Sequence, residues 1–116
     1  MAEMSKQSLE SVVRTLVNRF AIGDYEDVLN HCSTSRLTAD DLRQVIEDYG
    51  CTFIEPPPSA YTNLDAVGVR NARKPTWSVR APLWSKEEGR SDLTLEVTVI
   101  QDGDRWDVQL EDLHVL

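Results

Sequence analysis

The chain has 116 residues, with 12 Lys+Arg against 20 Asp+Glu, so its formal net charge is −8 and its pI is about 4.6. A chain of this length folds as one domain around one hydrophobic core, burying roughly two-thirds of its unfolded surface without disulfide or metal staples. The 41% hydrophobic and 28% charged fractions exclude disordered, collagen-like and coiled-coil chains.

Charge and hydropathy narrow the partners. Nucleic-acid binding draws its affinity from clustered Lys and Arg, and the densest positive stretch, Arg70, Arg73 and Lys74, reads as a solvated loop. No nucleic acid is therefore expected. The longest nearly apolar run, 93–100, is interrupted by Thr94, Glu96 and Thr98 and is too short for a membrane span. The opening residues have no apolar core of the kind a secretory signal needs, so the expected location is cytoplasmic. There Cys32 and Cys51, neither a CxxC pair nor a dense framework, stay reduced as half-buried small hydrophobes.

In chain order, the first half repeats at helical period. Leu9, Val12, Val13, Leu16, Val17 and Phe20 form one apolar stripe, with Ser8 as the expected N-cap and Gly23 as the stop. Asp24 caps a second, shorter helix with the face Tyr25, Val28, Leu29 and Cys32. Thr38 and Asp41 make a capping box before Leu42, Val45, Ile46 and Tyr49, and Gly50 ends that third helix.

After Gly50 the period becomes two. A short strand is expected at 51–54, closed by the stiff connector Pro56, Pro57 and Pro58, then a weak strand at 67–70. Trp77, Val79, Ala81 and Leu83 alternate with Ser78, Arg80, Pro82 and Trp84, and Pro82 marks an edge or bulge. The charged stretch 85–92 reads as a loop. Leu93, Leu95, Val97 and Val99 then alternate with Thr94, Glu96 and Thr98, and Asp102-Gly103 signals a type I′ hairpin. That turn pairs Val99 with Trp106, Val97 with Val108 and Leu95 with Leu110. On the opposite face it pairs Thr98 with Asp107, Glu96 with Gln109 and Thr94 with Glu111.

The expected architecture is α+β: three N-terminal helices packed on one face of a curved, mostly antiparallel sheet that ends in a three-stranded meander. This order of helices, strands and terminal meander resembles the NTF2-like or cystatin-like α+β family, which includes the nuclear transport factor, ketosteroid isomerases and polyketide cyclases. That family commonly has a strand between its second and third helices, and the segment 32–38 is too short and polar to supply a good one. The stretch Leu83-Trp84-Ser85-Lys86-Glu87-Glu88-Gly89-Arg90-Ser91-Asp92-Leu93-Thr94 resembles a block recurring in small uncharacterised bacterial domains, which implies a bacterial source.

Enzymes of the resembled family use a buried Asp, His or Tyr between sheet and helices. The inward set from Trp77 to Leu110 reads as entirely apolar, which leaves no carboxylate for a general base, and no catalytic residue is assigned. Tyr25 and Tyr49 read as core residues with hydroxyls at the rim. Adjacent residues on a helix point about 100° apart, so His31 and Cys32 share no ligand, and His114 reads as a surface or packed residue. Two histidines and two cysteines without ligand spacing predict no metal site, and five single glycines predict no phosphate loop or cofactor.

What remains is the surface. Glu96, Asp107 and Glu111 lie on the outward face of the last two strands, joined by Asp112 near the edge, and Trp84 falls on the same outward phase. Against a solvated sheet face stands a binding face for a basic protein partner, with carboxylates to speed encounter and an indole to anchor it. The leading expectation is a non-enzymatic, acidic bacterial binding protein, most specifically an immunity protein that occludes a basic, nuclease-like toxin domain. The alternative is an NTF2-like small-molecule pocket between helices and sheet with Tyr25, Tyr49, Tyr61 or Arg80 at its mouth. A homodimer associating through the sheet is a third reading.

Overall fold

The computed structural model describes residues 6–62 and 64–116, with side chains from residue 9 onward. The described residues form helices α1 (Lys6–Ile22), α2 (Tyr25–Asn30), α3 (Ala39–Tyr49) and α4 (Ser59–Thr62). They also form an open sheet of β1 (Thr34–Ser35), β2 (Phe53–Ile54), β3 (Asp65–Gly68), β4 (Thr76–Ser85), β5 (Gly89–Asp102) and β6 (Arg105–Val115). The sheet order is β1-β6-β5-β4-β2, and β3 pairs with the same edge of β4 beside β2. Only β1 runs parallel to its neighbour.

The helices form where apolar spacing and caps agree. On α1, Leu9, Val13, Leu16, Val17 and Phe20 are buried, and Gly23 ends the helix at φ +77°. The helix already includes Lys6, so Ser8 lies inside it and is not its cap. The Asp24 side chain accepts the Asp27 N–H at 3.1 Å to start α2. At α3 the capping box is complete: Thr38 Oγ1 accepts from Asp41 N at 3.1 Å, and the Asp41 carboxylate accepts from Thr38 N at 2.9 Å. Gly50, at φ +80°, closes α3. These stripes meet Val79, Ala81 and Leu83 of β4, Leu93, Leu95, Val97 and Val99 of β5, and Val108, Leu110 and Leu113 of β6 in one core. Fully burying each such Leu, Val or Phe contributes about 1.5–3 kcal/mol.

The terminal hairpin departs from its expected register. Asp102 pairs with Arg105, so the two-residue turn is Gly103-Asp104, not Asp102-Gly103. Gly103 alone takes a positive φ, +62°, as the first central residue of a type II′ turn does. Val99 therefore faces Val108 and Val97 faces Leu110, while Asp107 faces Ile100 and Gln109 faces Thr98. Each partner has moved by two residues. A one-residue slip would invert the faces, whereas a two-residue slip preserves them, so hydrophobic alternation cannot tell these registers apart.

Further along, a bulge between Glu96 and Val97 shifts the pairing again, placing Asp112 opposite Glu96, Leu113 opposite Leu95 and His114 opposite Thr94. The inward face is also not wholly apolar, because Ser85, Ser91 and Gln101 are buried. Ser91 is satisfied there: its Oγ donates to the Leu83 carbonyl at 2.7 Å and accepts from Leu93 N at 3.2 Å. The expected loop at 85–92 shrinks to a turn, since β4 runs to Ser85 and β5 starts at Gly89.

Three smaller corrections have physical causes. The segment 32–38 supplies a strand of only two residues: β1 pairs parallel to β6, bracketed by Ser33 N to Val108 O at 2.7 Å and Arg36 N to Leu110 O at 3.0 Å. These are backbone bonds, so the polarity of the side chains does not oppose them. The weak strand lies at Asp65–Gly68 instead of 67–70, and Asn71 turns the chain after it at φ +61°. Helix α4 follows the prolines because their carbonyls still accept, Pro57 from Ala60 N at 2.9 Å and Pro58 from Tyr61 N at 3.2 Å.

Candidate outer-face binding site

Among the described residues the buried polar set comprises Ser85, Ser91, Thr94 and Gln101, with no carboxylate, histidine, lysine or arginine. Tyr61 is the buried tyrosine, and burial pushes its hydroxyl up to about 12. Tyr49 reaches the rim, where its hydroxyl donates to Glu88 Oε1 at 2.7 Å and accepts from Asp92 N at 3.2 Å. The hydrogen bond to Glu88 leads burial in raising its pKa. Cys32 and Cys51 are free and half-buried, and desolvation pushes the Cys32 thiol up to about 11. Cys32 Sγ donates to the Val28 carbonyl while His31 Nδ1 contacts the Asp27 carbonyl, so these neighbours engage different groups.

One group of ionisable side chains lies on the outer face of β4, β5 and β6. Because β5 and β6 alternate, Glu96 and Thr98 point outward beside Asp112 and His114, and the bulge decides this. Without it Glu111 would stand opposite Glu96. With it Glu111 becomes the extra residue, accepting from Thr98 Oγ1 at 2.8 Å and pairing with Arg36 Nε at 3.1 Å. Glu96 Oε1 lies 3.0 Å from Arg80 Nε across the β4–β5 pair and 3.2 Å from His114 Nε2. His114 Nδ1 lies 3.2 Å from Asp112 Oδ2, and Asp112 Oδ1 accepts from Leu113 N at 2.8 Å.

Four of the five expected partner-binding residues thus share one face of β5 and β6, but most are internally paired. Asp107 has no partner among the described residues, whereas Glu96, Glu111 and Asp112 are each held by a neighbour. Trp84 lies apart from them on β4, half-buried, opposite Arg90. With Arg80, Arg90, Thr94, Leu64 and Leu116 it lines a recess of about 340 Å³. Arg90 is exposed and has no ion pair among the described residues.

Sequence reasoning missed two features. The Glu96–Asp112–His114 cluster depends on the bulge, and its only sequence trace is the Asp-x-His spacing on an outward phase. The recess depends on α4 and Leu64, which the proline-rich stretch hid. A larger trough of about 540 Å³ lies between α2 and α3. Four of its polar residues are spent on the chain itself: Thr38 in the capping box, Ser35 Oγ on the Leu37 carbonyl at 2.6 Å, Ser33 Oγ on the Val108 carbonyl and Asp40 on Arg43.

These features define a mixed α+β domain with an apolar interior and a charged outer sheet face. The chain belongs to the family described as Domain of unknown function (DUF7668), whose model matches residues 17–116 and so covers every outer-face residue named above. No curated protein and no solved structure matches it. Among the described residues no helix is long and apolar enough to cross a membrane.

Proposed function

We propose that this protein is a non-catalytic bacterial binding protein that works in the cytoplasm and engages a basic protein partner through the outer face of β4, β5 and β6. The partner is a toxin domain of the nuclease kind, which the protein neutralises by occlusion. The observation that carries this reading is the partition of chemistry. The described core lacks charged side chains, while Glu96, Asp107, Glu111, Asp112 and Trp84 stand on one exposed side of the sheet. A net charge of −8 adds long-range attraction toward a basic surface. In this arrangement Asp107 meets the partner directly, Glu111 exchanges Arg36 for a partner cation, and Trp84 is the apolar anchor.

The test is calorimetric titration of the chain against a basic nuclease domain encoded beside its gene, at low and physiological ionic strength. We expect salt-sensitive binding, a loss of at least tenfold in affinity for the double variant Asp107→Lys, Glu111→Lys, and a loss of about 2 kcal/mol for Trp84→Ala. Unchanged affinity in both variants would remove this face from the interaction. The same titration in the absence of partner reports self-association, where like charges facing each other across a twofold axis oppose a sheet-to-sheet homodimer.

A second reading is favoured by the recess. An NTF2-like domain that binds a small anionic molecule would use the free Arg90 guanidinium beside the Trp84 indole, not the interface between helices and sheet. The strand β1 between α2 and α3 supports the NTF2-like assignment, since the resembled family commonly carries a strand there.

A further inference from the structure

We infer that Glu96 and His114, oriented by Asp112, form a binding site for a divalent transition-metal ion on the outer sheet face. Asp112 is fixed by the Leu113 N–H on Oδ1, and its Oδ2 lies 3.2 Å from His114 Nδ1. An imidazole that binds a metal through Nε2 carries its proton on Nδ1, and the Asp112 carboxylate stands where it would face that N–H. Nε2 is sealed from solvent and makes no hydrogen bond, yet it lies 3.2 Å from Glu96 Oε1. A cation seated between Nε2 and Oε1 would contact both atoms at once.

The dimensions suit a metal ion. Bonds of about 2.0–2.2 Å at tetrahedral angles separate neighbouring ligand atoms by about 3.3–3.6 Å, close to the 3.2 Å between Nε2 and Oε1. One ligand atom from each of Glu96, Asp112 and His114 falls within 4.8 Å of the others. The carboxylate–histidine pairing is the arrangement that orients a metal-binding imidazole, and imidazole with carboxylate suits zinc, copper or nickel better than calcium or magnesium. The bulge at Glu96 and Val97 brings the three residues onto one face, as bulges do where a side chain must be re-aimed.

Arg80 competes for the same Glu96 oxygen, but its side chain is 54% exposed and can turn to solvent. Two protein donors leave coordination positions for water or for a donor from a bound molecule.

The experiment is a calorimetric titration of the intact chain with Zn²⁺ alone, with the unfolding midpoint of each variant confirming that it is folded. We expect one ion per chain. His114→Gln and Glu96→Gln each weaken binding at least tenfold, and Asp112→Asn about tenfold. Arg80→Gln tightens binding by freeing Glu96, and His31→Gln, at the molecule's other histidine, leaves it unchanged. The inference is overturned if the wild type shows no saturable binding, if His114→Gln binds as tightly as His31→Gln, or if Arg80→Gln fails to tighten the site.

Discussion

Individual side chains here are tuned mostly by burial and by single hydrogen bonds. The Arg19 guanidinium holds the Asp27 carboxyl below its usual range, and the Thr52 N–H does the same for Glu87. Both groups therefore contribute stability that is present above the unfolded carboxylate range, near pH 4, and is lost as pH falls through their depressed values. At the alkaline end the sign reverses. Desolvation raises Cys32 from 9.0 to about 11 and Tyr61 from 10.0 to about 12. The folded state keeps both protons longer than the unfolded state does, so stability holds below pH 9 and declines as pH rises through these values. Urea midpoints measured from pH 8 to pH 11 should fall, and Cys32→Ala should flatten the part between pH 9 and 11. A flat wild-type profile would show that burial does not suppress the thiolate. Iodoacetamide at pH 8 should also label folded Cys32 far more slowly than the unfolded chain.

Among the elements, the β4–β5 hairpin shows how a polar stretch is tied into a fold. Glu87 accepts from Thr52 N at 2.8 Å, Glu88 accepts from the Tyr49 hydroxyl, and Ser85 Oγ accepts from Glu88 N at 2.9 Å. Residues that read as loop charges in sequence thus fasten the hairpin to α3 and to the approach to β2. Tyr49→Phe removes both contacts of its hydroxyl at once and should cost about 1 kcal/mol, whereas Gly103→Ala must hold a left-handed backbone and should cost about 1–2 kcal/mol. Thermal unfolding measures both, and a midpoint unchanged in either variant would contradict the corresponding contact or turn. The helices were legible because spacing and caps agreed at Asp24, Thr38 and Gly50. The register of β6 was not, because alternation repeats every two residues and Gly103 can occupy either central position of a two-residue turn. Nor could alternation reveal the bulge at Glu96, on which the juxtaposition of Asp112 and His114 depends.

Across the whole molecule the negative charge is unevenly used. Arg80 engages Glu96, Arg36 engages Glu111 and Lys74 engages Asp102, so the excess resides largely elsewhere. Exposed pairs of this kind contribute about 0–1 kcal/mol each, while a net charge of −8 imposes diffuse repulsion on the compact state. Raising ionic strength from about 0.01 M to about 0.15 M shortens the screening length from about 30 Å to about 8 Å and should raise the unfolding midpoint. A lowered midpoint would mean that the local pairs outweigh the repulsion. The composition made this charge legible, but not its distribution, because pairing across strands follows register.

The shortness of the outermost strands has its own outcome. With β1 spanning two residues beside β6, and β2 and β3 sharing the far side of β4, the part of β6 beyond Leu110 has no strand on its outer side among the described residues. That bare length of edge is where the strand of another chain would add, and the carboxylates of Glu111 and Asp112 beside it discourage such addition.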